Sequence, residues 1–558
     1  MAKIHTLKIS NYRGIKKLEH VFDTKSFICL IGRGDSGKTT LLQAIAAVLS
    51  PNWDYKFYDS DFYEGKIEND IVIEASLYDL PDELLTDSKY GLHKRLLTSD
   101  NQIIDDLSEE DDQSRDILTV KLVVKEDLEP QWFVTNNRES QEDMEIRHAD
   151  RRRLNVFIVS DYIDRHFTWG KGTPLYSLLK MDGNDFDTNN ILLKAHRDAA
   201  KSVKEVSTSS SGPIIDIIGN IKKTAGSLGL SLETIDAYID FKNLLLNEGS
   251  VALHDDMGIP YRLKGKGTKR LLSIAIQLEI VKQKGGIILI DEIEQGLEPD
   301  RIKFLVRCLK ESKNGQVFIT THSNNVLVEL SAVDIFLKKK EEEKLISFDE
   351  DFQGCLRNNP NAFFAKRVLV CEGATEVGIC RALDDHRISD AQDNIELLGI
   401  SLVDGKGNEF IKYCTKFKEA GYDVCAFCDS DLGDISDKKE ELRDKGVIVV
   451  DCEKGNAIEQ QLFQDLSWQN VISLLEYAVV ENKKQNIFAQ LDIKDFDELS
   501  DTVAERERIG NKAAKKGWFK RIDHGEKVGR IWFESLEELD GTTLGDEYEE
   551  LMKWINKK

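Results

Sequence analysis

With 558 residues, 41% of them hydrophobic, the chain is long enough for roughly three or four domains of ~150 residues, which excludes a single small module. Its 76 basic and 100 acidic side chains leave a net charge of −24, which excludes a uniformly basic nucleic-acid binder, so a polyanion has to be met locally or through metal ions. The opening MAKIHTLKIS lacks the apolar core of a secretion signal and no run approaches the ~18 apolar residues of a membrane span, so a cytoplasmic protein without a membrane partner is expected.

In chain order, KIHTLKISNYRGIKKLEHVF alternates as strand, turn and strand, then SFICLIG runs into a glycine loop and the helix TTLLQAIAAVLS. Strands are expected near 70–80 and 118–124, separated by the acidic loop DLSEEDDQSRD. From 166 to 249 the character turns helical: Leu228, Leu232, Ile235, Ile239 and Leu246 fall at helical spacing, with Gly249 as the stop, and an ordinary bundle helix is preferred over a dimer seam. Strand–helix alternation resumes at GGIILIDE and GQVFITTHS. The charge run KKKEEEK at 338–344 and the polar stretch ending RNNPN then read as a linker. Beyond it, apolar strands at 367–371, 423–428 and 447–451 alternate with helices, and the last ~80 residues are mostly amphipathic helix. Three basic clusters, Arg151 to Arg153, Lys264 to Arg270 and Lys512 to Arg521, read as solvated faces. Cys425-x-x-Cys428 lacks the second pair of a zinc site and reads as packing.

GRGDSGKT, Gly32 to Thr39, matches G-x-x-x-x-G-K-[ST] between a strand and a helix. Gly32, Asp35, Ser36, Gly37, Lys38, Thr39 and Thr40 are the expected ATP-binding residues: backbone N–H groups curl around phosphates, Lys38 reaches the terminal phosphates and Thr39 holds Mg²⁺. In IILIDE, Asp291 supports the metal and Glu292 polarises the attacking water, while His322 of TTHS follows a strand as a γ-phosphate sensor. KGKGTKRLLSIAI, with Gly265 and Gly267 opening a helix, resembles a degenerate ABC signature, which contacts the ATP of a second subunit. With LKISNYRGIKKL in front, residues 1–165 and 250–345 resemble the SMC/Rad50-like branch of the ABC ATPases, with 166–249 as a short helical insert suited to dimerisation. Asp61 is a weak candidate for the Q-loop position.

LVCEGATEV puts Glu372 at the end of a strand and Glu376 one turn into the next helix, and VCAFCDSDLGD ends a later strand in Asp429-x-Asp431. At the carboxyl edge of one parallel sheet these carboxylates converge, and hard cations want such oxygens. Two Mg²⁺ or Mn²⁺ ions ~3.5–4 Å apart can activate water on one side of a phosphodiester and stabilise the leaving oxygen on the other.

The Glu-Gly…D-x-D order resembles the Toprim domain, and its place behind an ABC head resembles the OLD (overcoming lysogenisation defect) nuclease family, including the Gabija-type defence nuclease subunit. The resemblance implies an α/β chain with a linker at 346–361, a Toprim domain at 362–480 and a helical remainder of that domain at 481–558. It implies Glu372, Glu376, Asp429 and Asp431 as metal ligands, a glycine loop at Gly405 and Gly407, Glu459 as a later acidic ligand, and a catalytic lysine, for which Lys516 is chosen over Lys515 and Lys520. It further implies a homo-oligomeric, dimeric or tetrameric, Mg²⁺- or Mn²⁺-dependent DNA endonuclease of bacterial antiphage defence, with a helicase-like protein or a retron reverse transcriptase with its DNA as conceivable companions. The alternatives are a non-cleaving ATP-dependent clamp and a Toprim topoisomerase or primase.

Overall fold

The computed structural model describes residues 2–52, 55–109, 113–139, 141–160, 163–170, 173–181, 212–240, 250–312, 314–407, 409–430, 433–453 and 455–557. They divide into two compact units, Met1–Phe348 and Asp349–Lys558.

In the first unit β1 (Lys3–Tyr12) pairs antiparallel with β2 (Ile15–Val21), as the alternation predicts. β3 (Phe27–Ile31), FICLI, is buried at every residue, which suits a parallel strand covered on both faces. β4 (Ile71–Tyr78), β5 (Arg95–Leu97), β6 (Ile103–Ile104), β7 (Arg115–Val124), β8 (Pro130–Thr135) and β9 (Met144–Glu145) extend the antiparallel sheet in the order β2-β1-β4-β7-β5-β6, with β8 and β9 continuing from β7. Next come β10 (Val156–Val159), a two-stranded pair β11 (Asp236–Asp240) and β12 (Ser250–His254), and then β13 (Ile287–Ile290), β14 (Gln316–Thr320), β15 (Ile335–Leu337) and β16 (Ile346–Ser347). The second sheet runs β10-β13-β14-β3-β15-β16, parallel except at β16. Its neighbours β13, β14 and β3 therefore deliver their following loops side by side. The two sheets share one apolar core, with Ile4, Leu7 and Ile9 on one side and Leu41, Ile45 and Val48 of the helix Lys38–Val48 on the other. Buried Gln316 ties them: its amide oxygen accepts from Ile4 N at 2.7 Å, and its nitrogen donates to Ile4 O and Lys25 O, each at 2.9 Å.

Several expectations change. The stripe Leu228–Ile239 is not one helix: the helix Gly212–Ser227 stops at Gly229, and β11 pairs antiparallel with β12. A β partner supplied by residues 250–254 outweighs local helical spacing there; Leu246 and Gly249 lie outside the described residues. The charge run is an ordered loop, not a linker. Lys338 is 2% exposed, and its ammonium donates to the carbonyls of Lys339 and, at 2.9 Å, Glu342, while Glu19 N donates to Glu343 O at 2.7 Å. The stretch 346–361 is folded too: Phe352 and Phe363 are buried and both meet Phe417 edge-on. Arg151 is no solvated face: it is 3% exposed, donates to Ser50 O and Ile146 O at 2.7 Å, and lies 3.9 Å over the Trp132 ring.

The second unit is a four-stranded parallel sheet in the order β18-β17-β19-β20, built from β17 (Arg367–Cys371), β18 (Ile400–Asp404), β19 (Asp423–Cys428) and β20 (Ile448–Asp451). Cys425 and Cys428 are buried packing, as expected. The C-terminal helices share its core through Trp518, Trp532 and Trp554, and buried Arg367 donates to Trp554 O at 2.7 Å and Ile555 O at 2.9 Å. No helix among the described residues is long and apolar enough to cross a membrane.

Candidate functional site

In the first unit the loop after β3 turns through Gly32, Asp35 and Gly37 at positive φ and launches the helix Lys38–Val48. Ser36 and Lys38 are buried, Asp35 is exposed, and Thr39 and Thr40 are half-buried. The Lys38 ammonium curls back into its own loop, donating to Gly32 O at 2.8 Å and Arg33 O at 2.9 Å. Burial pulls its pKa down, against the raising effect of Asp291, Glu292, Glu294 and Asp35. Thr39 Oγ1 donates to Asp291 Oδ1 at 3.0 Å, so the two side chains expected to hold a nucleotide-bound cation already meet.

Glu292 is exposed, its backbone turned to φ 48° and its N–H donating to Thr320 Oγ1 at 2.7 Å. His322 follows β14, and its pKa is lowered, first by burial and then by the nearby Lys38 charge. What holds its loop is Glu294, which the sequence reading did not single out. It accepts from Thr321 Oγ1 at 2.8 Å and from His322 N at 2.6 Å. Gly265 stands exposed at the N-cap of the helix Lys266–Lys284. Gly267 has a different reason to be glycine: a Cβ there would sit 2.3 Å from Gly296 O of the same chain. Asp61 is structural, 4% exposed and paired to Arg13 Nε at 2.7 Å, which takes it out of the Q-loop role.

In the second unit the four parallel strands each end in or just before a carboxylate: Asp404 on β18, Glu372 after β17, Asp429 after β19 and Asp451 on β20. Glu372 N donates to Phe427 O at 2.9 Å and Asp429 N to Glu372 Oε2 at 3.2 Å, which binds the two strand ends together. Gly405 N donates to Cys371 O and Gly407 N to Glu372 O, so the glycine loop lies against the same corner. Glu376 caps its own helix, Ala374–Ser389, accepting from Gly373 N at 2.9 Å. Burial pushes its pKa up to about 7, helped by the charges of Glu459 and Glu372 and opposed by Lys520. Asp431 lies outside the described residues.

Glu459, in the first turn of the helix Ile458–Asp465, is fully buried, and among the described residues neither carboxylate oxygen has a hydrogen-bond partner. The lysine that approaches it is Lys520, 3.7 Å from Glu459 Oε1, and not Lys516. Lys516 is exposed in the last turn of the helix Val503–Lys516, and after Gly517 the chain turns inward. Trp518 and Phe519 are buried there and Phe519 O accepts from Thr375 Oγ1 at 2.9 Å, which carries Lys520 to the carboxylates. Among the described residues no three carboxylate, imidazole or thiolate groups stand close enough together to hold a metal ion as they are placed. Glu459, buried without a hydrogen-bond partner among the described residues and close enough for its charge to act on Glu376, offers oxygens of the kind hard divalent cations take.

A family model described as "AAA domain, putative AbiEii toxin, Type IV TA system" matches residues 27–329, and one described as "Overcoming lysogenization defect protein-like, TOPRIM domain" matches residues 363–431. Among solved structures, the chain is similar to an Smc head bound to the C-winged helix domain of ScpA, at 14% identity and TM-score 0.39, over 62% of this chain and 97% of that one. It is similar to an Smc head with an extended coiled coil bound to the C-terminal domain of ScpA from Pyrococcus furiosus, at 13% and 0.38, over 62% and 97%. A third is the recombination mediator protein RecF-ATPrS, at 13% and 0.36, over 62% and 98%. No curated protein matches the chain significantly.

Proposed function

We propose that this chain, which belongs to the AAA-domain family matched over residues 27–329 and carries an OLD-like TOPRIM domain behind it in the arrangement of the OLD family, is an ATP-binding, divalent-metal-dependent DNA endonuclease. The observation that supports this best is Glu459, buried near Glu376 without a hydrogen-bond partner among the described residues and paired only with the Lys520 ammonium 3.7 Å away.

In this reading Glu372, Glu376, Asp429, Asp431 and Glu459 would hold Mg²⁺ or Mn²⁺. Bound ions would supply an activated water and charge stabilisation for the leaving oxygen of a phosphodiester. Lys520, with its ammonium half in solvent, offers the incoming phosphate a positive charge. Lys38 and the loop from Gly32 would hold the triphosphate, Thr39 and Asp291 its Mg²⁺, with Glu292 to orient the attacking water and His322 to sense the terminal phosphate. Exposed Gly265 gives a second copy a helix N-terminus for its nucleotide, so the active form is a homodimer or tetramer whose nucleotide state regulates DNA cleavage. The biological role is bacterial antiphage defence, alongside a companion subunit.

The test is nicking of supercoiled plasmid with Mg²⁺ and again with Mn²⁺. Glu372→Ala and Asp429→Ala should abolish it while ATP hydrolysis, in another unit, continues. Cleavage at the wild-type rate by both variants defeats the nuclease reading; DNA binding and ATPase without cleavage by the wild type, even with a companion added, favours a clamp.

A further inference from the structure

Lys439 is a buried cation to which the proposed reaction gives no part. It lies on the helix Gly433–Asp444 and is 3% exposed. Its ammonium donates to the backbone carbonyl of Asp429, to Ser430 Oγ at 3.1 Å and to Asp451 Oδ2 at 3.4 Å. Asp451 is itself held, accepting from Ser430 Oγ at 3.2 Å and from Arg443 Nη2 at 2.8 Å.

These contacts bear on one residue. The direction of the Asp429 side chain is set by the two peptide planes that flank it. The plane before it is fixed by Asp429 N donating to Glu372 Oε2 at 3.2 Å. The plane after it is fixed at one end by Ser430 N donating to Asn456 O at 2.8 Å and at the other by Lys439 on Asp429 O. Lys439 thus supplies the only side-chain donor among these contacts to the second plane. Burying an ammonium costs several kcal/mol unless its partners repay it, and an apolar side chain of similar length would fill the same space without that cost. A fixed donor to the Asp429 carbonyl is what the ammonium adds over such a side chain.

We propose that Lys439, braced by Asp451, is a positioning residue that aims the Asp429 carboxylate at the metal site. The proposal rests on the nuclease reading above. It makes a prediction opposite in sign to simple electrostatics. Deleting a positive charge near a cation site strengthens cation binding by Coulomb's law, whereas losing the brace weakens it.

The experiment titrates the full-length protein with Mn²⁺ in the absence of nucleotide, following free Mn²⁺ by electron paramagnetic resonance, with Glu372→Gln defining which signal belongs to the carboxylate edge. Lys439→Met should weaken that site about ten- to a hundredfold, the range for residues that orient metal ligands, and Lys439→Arg should restore most of the loss. Raising Mn²⁺ to saturation should recover the nicking rate of Lys439→Met, which a misfolded protein would not do. Should Lys439→Met fail to fold, Lys439→Gln, which is polar but too short to reach the Asp429 carbonyl and also removes the positive charge, should still weaken the site. Unchanged or tighter Mn²⁺ binding in the folded variant overturns the proposal. A Mn²⁺ signal identical in wild type and Glu372→Gln overturns the nuclease reading and this proposal with it, and the control separates that case from the first.

Discussion

The helices Ala374–Ser389 and Ile522–Glu534 cross with almost no space between their backbones, and replacing Gly525 by alanine tests how much stability depends on that contact. A Cβ on Gly525 would stand 2.2 Å from Thr375 O and 3.0 Å from the Gly378 Cα; one on Gly378 would stand 2.1 Å from Ile522 O. Real Cβ atoms do not approach under 3.0 Å, so the helices would have to separate by roughly 0.8 Å at Gly525, and both obstacles are backbone. Overpacking of this kind costs about 1–3 kcal/mol, while alanine in place of an interior helical glycine returns about 1 kcal/mol. The net expectation for Gly525→Ala is a loss of up to about 2 kcal/mol. Gly219, on the helix Gly212–Ser227 with nothing within 4 Å of its Cβ position, carries only the favourable part, so Gly219→Ala should gain up to ~1 kcal/mol. The assay is urea denaturation followed by circular dichroism, with Mn²⁺ binding measured on the folded variants. Because the second helix follows directly on Lys520, Gly525→Ala should also weaken nicking. A Gly525→Ala protein more stable than wild type, and so the same sign of change at both glycines, refutes the close approach.

Lys520→Ala should lower plasmid nicking about a hundredfold, the usual loss on removing one charge-stabilising donor, while Lys516→Ala stays near wild type; the reverse ranking would return the role to Lys516. Lys38→Ala should abolish binding of labelled ATP, and Glu292→Gln should bind it yet turn over about a hundredfold more slowly or worse, with unchanged turnover placing the base elsewhere. Burial, with Asp465, Asp451 and Glu550 adding, holds the Glu547 carboxyl neutral, its pKa raised from 4.5 to about 8. The folded state therefore binds more protons than the unfolded one between those values, and stability is lost as pH rises from about 4.5 to about 8. Glu547→Gln keeps the neutral shape, so its melting temperature relative to wild type should climb across that window; a constant difference would mean that Glu547 does not carry this linkage.

The motifs legible in the sequence are those whose chemistry is local. A phosphate cradle needs strand, glycine loop, lysine and helix in unbroken order, and residues 27–48 contain them all. IILIDE and TTHS announce themselves because a buried parallel strand is a continuous apolar run and its functional residue comes next. Glu372, Glu376 and the Asp429 turn were readable for the same reason, and so was the parallel sheet behind them. Other features depend on chain that arrives from far away. Spacing favoured a helix through Ile239 until residues 250–254 offered a strand partner, and charge suggested a linker where Lys338 finds a shell of carbonyls. Nothing local distinguishes Lys516 from Lys520; the inward turn after Gly517 and the Phe519 hydrogen bond to Thr375 decide between them. Glu294, Lys439 and Asp451 look like ordinary surface charges in one dimension. Their partners lie from eight to 28 residues away, and hydrogen bonds at that separation exist only once strands and the helices between them have folded back on one another.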